Sequence, residues 1–190
     1  MVIIINGAPE SGKSTFVKIC KEQHLLGFIY EYSTVDFVKQ IATECGWDGV
    51  KNAKNRKFLS DLKDLLTEWR DIPFRKSIEK VQENYQHSAE IYSISPHHVI
   101  TFIHCREPEE IQKFKDYYGD DWCRTLLIRR PTVEGNNQSN HADAQVFDYK
   151  YDYEIMNDGT LNDLEQKAQD FVEEVWKYRD SHGRWTEFTK

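Results

Sequence analysis

The chain of 190 residues is 39% apolar and 30% charged, with nine Gly and five Pro. That is the make-up of one globular domain with its own core, not of a disordered or collagen-like chain. Its 25 basic against 32 acidic side chains give a net charge of −7, which speaks against sequence-blind binding of nucleic acid.

The run Val2-Ile3-Ile4-Ile5 is far shorter than the roughly 20 residues of a membrane span. No basic segment or cleavage pattern around it marks a signal peptide, so a cytoplasmic protein without membrane contact is expected. Cys20, Cys45, Cys105 and Cys123 contain no Cys-x-x-Cys pair. Reduced thiols are expected, not a disulfide framework or a structural zinc site.

Residues 2–6, short, β-branched and apolar on both faces, predict a buried parallel strand. A loop over 7–12 leads into a helix from Lys13 to about Glu22. A short strand is predicted over 28–32 and a helix from about Thr34 to Glu44, ending at Gly46. Phe58, Leu59, Leu62, Leu65, Leu66 and Trp69 then recur as the stripe of an amphipathic helix and are expected in the core. A further helix follows Pro73 toward Tyr85.

Strands are predicted at 98–104 and 125–129, with Pro108 opening the helix between them. Residues 130–147 hold Pro, Gly, Asn and Ser without apolar period and read as a long functional loop. Tyr149, Tyr151 and Tyr153 alternate as one face of a strand would, and a last strand covers 153–156. The final helix carries Leu161, Leu164, Ala168, Phe171, Val172 and Val175, with Thr160 and Asp163 spaced as a capping box. Strands alternating with helices predict a three-layer α/β/α domain on a five-stranded parallel sheet. Three helices crowd between its second and third strands. The whole chain reads as one domain, with a helical insertion over about 34–90 and a lid over about 130–148.

Gly7-Ala8-Pro9-Glu10-Ser11-Gly12-Lys13-Ser14 satisfies GxxxxGK[ST], the phosphate-binding loop, between an apolar strand and a helix. Glycines let the backbone wrap a phosphate chain with its N–H groups inward, and the following helix adds its positive end. Lys13 is expected on the β- and γ-phosphates of ATP and Ser14 on Mg²⁺, with Thr15 beside them. No base-reading Asn-Lys-x-Asp motif of a GTPase follows a strand. A short chain with one helical insertion and one late polar loop suits a small-molecule kinase, the loop closing to exclude water.

The segment from Tyr151 to Leu164, with Asn157-Asp158-Gly159-Thr160, resembles the last strand and helix of phage-type deoxynucleoside monophosphate kinases and the related animal-type phosphomevalonate kinases. The resemblance places Asn157, Asp158 and Gly159 near the adenine. Arg129-Arg130-Pro131 resembles the family's lid entrance, His141-Ala142-Asp143 its lid histidine, and the segment 33–39 the start of its acceptor-binding helix. Two positions differ. Ser14 stands where the family often has Asp, and His104-Cys105-Arg106 stands where it has Asp-x-Arg.

At the ends of strands, where parallel sheets place their ligands, Arg106 is expected to bind an acceptor phosphate. Arg129 or Arg130 is expected to neutralise the charge developing in transfer. The ordinary alternative for Arg106 is an ion pair with Glu107, Glu109 or Glu110. Asp36 suits a proton acceptor or a Mg²⁺-positioning group, or equally a carboxylate favoured at a helix start. His104 and Cys105 read as a partly packed imidazole and a buried thiol, and His97-His98 as a strand entry.

The stretch 51–80 has nine basic and five acidic residues; Arg56, Lys57 and Lys63 there either meet a phosphate or pair with Asp61 and Asp64. The expected activity is phosphoryl transfer from ATP·Mg²⁺ to a small anionic acceptor, foremost a (deoxy)nucleoside monophosphate. A hydroxyl acceptor (a modified base in DNA or a dephospho-coenzyme A-like metabolite) and a nucleotide-binding regulator with little turnover remain as alternatives. A homodimer is among the assemblies left open.

Overall fold

The computed structural model describes residues 1–23, 28–50, 52–92, 99–134 and 145–182. In chain order the elements are β1 (Val2–Asn6), α1 (Lys13–Gln23), β2 (Phe28–Ser33), α2 (Asp36–Glu44), α3 (Ala53–Arg70), α4 (Ile72–Tyr92), β3 (Val99–His104), α5 (Pro108–Tyr118), β4 (Cys123–Arg129), β5 (Tyr153–Met156) and α6 (Leu161–His182). His141 and the pair His97-His98 lie outside the described residues.

The strands form one sheet in the order β2-β3-β1-β4-β5, every pair parallel. β1 is central because all five of its residues are buried, which only a strand covered on both faces tolerates. One face carries Ile3, Ile5, Ile100, Phe102, Leu126 and Ile128 against α1 and α6. There Phe16 packs edge-on to Phe102 and Phe171 at 6.5 and 5.7 Å between centroids. The other face carries Val2, Ile4, Val99 and Ile103 against α4 and α5. A five-stranded all-parallel sheet with helices on both sides is therefore the fold, and α2 and α3 pack on each other and on α4.

Local chemistry explains the boundaries. Asn52 caps α3 by accepting from the Asn55 N–H at 2.8 Å. Asp71 ends it in the left-handed conformation, φ 52°. Pro108 opens α5. The Thr160–Asp163 capping box forms: Asp163 Oδ2 accepts from Thr160 N–H at 2.7 Å, and Thr160 Oγ1 from Asp163 N–H at 3.3 Å.

Two expectations fail. In α3 no residue is buried: of its apolar stripe Phe58, Leu65 and Trp69 are 39%, 63% and 71% exposed, and Leu59, Leu62 and Leu66 are half-covered. The tyrosine alternation also does not lie on one strand face. β5 begins at Tyr153, which packs on the α1–α6 side, whereas Tyr149 and Tyr151 pack on the α4–α5 side. The chain turns over between them to enter the sheet.

Candidate nucleotide and acceptor site

Parallel strands point all their C-termini to one edge, so the segments that leave them meet there. The register sets His104 beside both Ile5 and Ser33, and Asn6 beside Leu127. This edge brings together residues far apart in sequence.

The phosphate-binding loop leaves β1 through three left-handed residues, Gly7 (φ 149°), Glu10 (φ 63°) and Gly12 (φ 98°). At Gly7 a side chain would collide with the Ile128 carbonyl and Ser11 Oγ, and at Gly12 with the Asn157 amide. Both positions therefore need glycine for space as well as for φ. Ser11 is fully buried, and its N–H bonds the Ala8 carbonyl at 3.2 Å. Lys13 Nζ donates to the Gly7 and Ala8 carbonyls at 2.6 and 2.7 Å, which folds its ammonium over the loop. Ser14 and Thr15 follow in the first turn of α1, both exposed. With Pro9 half-exposed and Glu10 at the surface, this is a backbone cradle headed by a cation and a hydroxyl, the donor set a triphosphate and its Mg²⁺ require. Among the described residues no group of three or more His, Cys, Asp or Glu forms a metal cage. Within the loop Ser14 is the residue that could hold Mg²⁺ beside bound phosphates.

Two asparagines hold this cradle. Asn6, fully buried, accepts from the Gly7 N–H at 2.8 Å. Its amide nitrogen donates to the Arg106 carbonyl at 3.0 Å and to Tyr151 Oη at 2.7 Å, and Tyr151 donates on to the Val146 carbonyl at 2.7 Å. Loop entrance, end of β3 and approach to β5 are thereby tied to one side chain. Asn157 Nδ2 donates to the Ser11 carbonyl at 2.9 Å, while its backbone N–H bonds the Arg129 carbonyl at 2.7 Å. The Asn157 side chain thus meets the loop backbone; Asp158 is beside it, where Lys167 reaches its carboxylate at 3.3 Å, and Gly159 abuts Asp163.

Arg129 and Arg130 separate. Arg129 is paired with Glu134 through Nε and Nη2, at 3.2 and 2.6 Å, and with Glu154 at 3.3 Å. Its guanidinium also lies 5.3 Å from the Phe147 ring centre. This pairing holds the Glu134 carboxyl below its ordinary range. Arg130 instead reaches the loop itself, Nη1 to the Glu10 carbonyl at 3.3 Å.

Asp36 is engaged as a helix-start carboxylate: it accepts from the Ser33 N–H at 2.8 Å and pairs with Lys39 at 2.9 Å. His104 is held by Glu31 on the neighbouring strand, Nε2 to Oε1 at 2.8 Å. The other Glu31 oxygen takes Lys21 at 2.8 Å. The His104 hydrogen bond, aided by Lys21, holds the Glu31 carboxyl at about 2.

Beside Arg106, Glu107 and Glu110 are both taken by Lys63 of α3, the second at 2.9 Å. Lys63 thus pairs with neither Asp61 nor Asp64, whereas Lys57 does bond Asp61 at 2.8 Å. Burial and the adjoining Glu107 raise the Glu110 carboxyl. Burial raises the Cys105 thiol, which bonds Glu110 at 3.4 Å, well above its ordinary value. Asn6 and Glu31 carried no motif, and the partners of Tyr151 and Lys63 lie too far along the chain for any local spacing to show.

No protein-family profile and no curated protein matches the sequence. Several solved structures share its layout. Shikimate kinase from Aquifex aeolicus is 15% identical with a TM-score of 0.48, over 92% of this chain and 97% of that one. Dephospho-CoA kinase from Campylobacter jejuni is 15% identical with a TM-score of 0.47, over 93% and 97%. A gluconokinase from Sinorhizobium meliloti is 10% identical with a TM-score of 0.44, over 95% and 97%. These are likenesses of layout.

Proposed function

We propose that the protein is an ATP- and Mg²⁺-dependent phosphotransferase acting on a small acceptor bound at the C-terminal edge of the sheet. The observation that carries this is the strained loop from Gly7 to Ser14, with the Lys13 ammonium over its carbonyls and Arg130 reaching it from the lid. Lys13 and the loop N–H groups bind and orient the phosphates, and Ser14 holds Mg²⁺, which screens their charge. Arg130 rather than Arg129 meets the charge that develops on the transferred group, since Arg129 is already committed to Glu134 and Glu154. Positioning and fixed charge supply the rate, without a covalent intermediate.

The acceptor class that the sequence resemblance favours is a (deoxy)nucleoside monophosphate, with Arg106 gripping its phosphate. A coupled ADP-release assay across the deoxynucleoside monophosphates tests this. Turnover stimulated by at least one of them is expected, and ATP turnover indifferent to all of them removes this acceptor class.

The His104–Glu31 pair favours a second reading, a hydroxyl acceptor. A phosphate acceptor is already a nucleophilic anion, whereas a hydroxyl needs a base. Asp36 is tied to the start of α2, while the imidazole of His104 stands at the end of β3 with one nitrogen fixed by a carboxylate. Under this reading His104→Gln abolishes transfer to the hydroxyl but leaves ATP affinity unchanged.

A further inference from the structure

We propose that the outward face of α3 is a self-association surface, through which two copies of this chain pair with their α3 helices antiparallel. Phe58, Leu65 and Trp69 stand seven and four residues apart, so they form one line along an 18-residue helix. All three are exposed. Lys63, which anchors α3 to Glu107 and Glu110, lies on another side of the helix, so the apolar line faces away from that anchor. Together the three side chains leave on the order of 350 Å² of apolar surface in water, the size of the largest patch on a typical monomer, which is often a functional one.

Charge along the same face identifies the occupant. Lys54 lies toward the N-terminal end and Asp64 and Glu68 toward the C-terminal end, while Lys57 and Asp61 between them pair with each other at 2.8 Å. Two such faces laid parallel set like charge on like charge; laid antiparallel they set Lys54 against Glu68 of the second copy. The same two-fold arrangement brings Phe58 opposite Leu65 of the second copy, with each Trp69 ring backed by Arg70 of its own helix, whose guanidinium lies 5.7 Å from the ring centre. A face complementary to itself under a two-fold rotation is what an isologous dimer requires. Both apolar lines with their polar rims bury about 1,000 Å² in total, in the range of weak, transient complexes, so the pairing is weak.

Sedimentation velocity of the full chain over about 1 to 200 µM is the test, since that range reaches into weak equilibria. A concentration-dependent shift from monomer to dimer is expected. Leu65→Glu should leave a monomer throughout, with an unchanged melting temperature because the side chain is already in water. Glu68→Lys and Lys54→Glu should each weaken pairing about tenfold, and their combination should restore it. A wild-type monomer at every concentration overturns the proposal. So does a dimer indifferent to Leu65→Glu, or a charge swap without rescue. Higher assembly with no defined dimer does the same, because an unspecific patch lacks a closing two-fold.

Discussion

Lys63 is the residue whose removal tests the energetics of this fold most directly. Its side chain is 11% exposed and that of Glu110 12%, while Glu107 is 32% exposed. Replacement by Met keeps the stem and its packing but leaves two adjoining carboxylates without their cation. Breaking a buried pair from one side costs about 3–5 kcal/mol. The partial exposure of Glu107 puts the expected loss at the lower end, about 3 kcal/mol at pH 8.

The direction with pH follows from Glu110. Its carboxyl is raised in the folded protein, so between the ordinary carboxylate range and neutrality the folded state binds more protons than the unfolded state. Stability therefore falls as pH rises through that window. Without Lys63 the carboxyl rises further, and protonation relieves more of the damage. Urea unfolding of wild type and Lys63→Met at pH 5.5 and pH 8 should show the larger loss at pH 8, with the melting temperature down there by about 6–12 °C. Equal losses at the two pH values, or a loss below about 1 kcal/mol at pH 8, would refute the claim that Lys63 is the charge that makes this cluster tolerable.

Lys13→Met should stay folded yet lose about a hundredfold or more in kcat/KM, about 3 kcal/mol of barrier, in the ADP-release assay. Retention of more than about a tenth of the activity removes the phosphates from this loop. Arg130→Met should lower kcat with little change in melting temperature, while Arg129→Met, which frees Glu134 and Glu154, should lower the melting temperature; the reverse pattern exchanges their roles. Gly12→Ala should weaken binding of a fluorescent ATP analogue at least tenfold, because the new methyl strikes the Asn157 amide at a φ of 98°. Unperturbed binding means the loop relaxes freely. Native titration with a disulfide reagent should modify Cys45, the exposed thiol, and spare Cys20 and Cys123, which burial pushes up to about 12, and buried Cys105; rapid reaction of any of these three shows the core open.

The phosphate-binding loop was legible because its demands are local: a fixed spacing of glycines, one lysine and one hydroxyl between a buried strand and a helix. The five parallel strands and the alternation of layers followed from the same kind of evidence; the order β2-β3-β1-β4-β5 did not. The α3 stripe shows where such evidence ends. Its six apolar residues span about 120° of the helix surface at 100° per residue. Periodicity registers that arc without saying which half the neighbours cover. Leu59, Leu62 and Leu66 took the inner half, and Phe58, Leu65 and Trp69 were left outside. Lys63 was hidden for a similar reason, since its partners lie 44 and 47 residues away, beyond the reach of any helix spacing.

The supports of the site are longer-range still. Asn6 meets Tyr151 across 145 residues, and Asn157 meets Ser11 across 146. Both contacts exist because β1 is central and β4 and β5 complete the sheet on one side of it, so the first loop and the last come to share an edge. That arrangement has a consequence for catalysis. The Asn157 backbone is hydrogen-bonded to Arg129 and its side chain to Ser11, and Arg130 follows Arg129 directly. The phosphate cradle and Arg130 are therefore registered to one another through this residue. A displacement of the β5–α6 turn by a fraction of an ångström moves both, and catalysis by positioning is sensitive to displacements on that scale. With the Arg130–Glu10 contact, Asn157 is one of the described residues through which the loop and the segment after β4 move together.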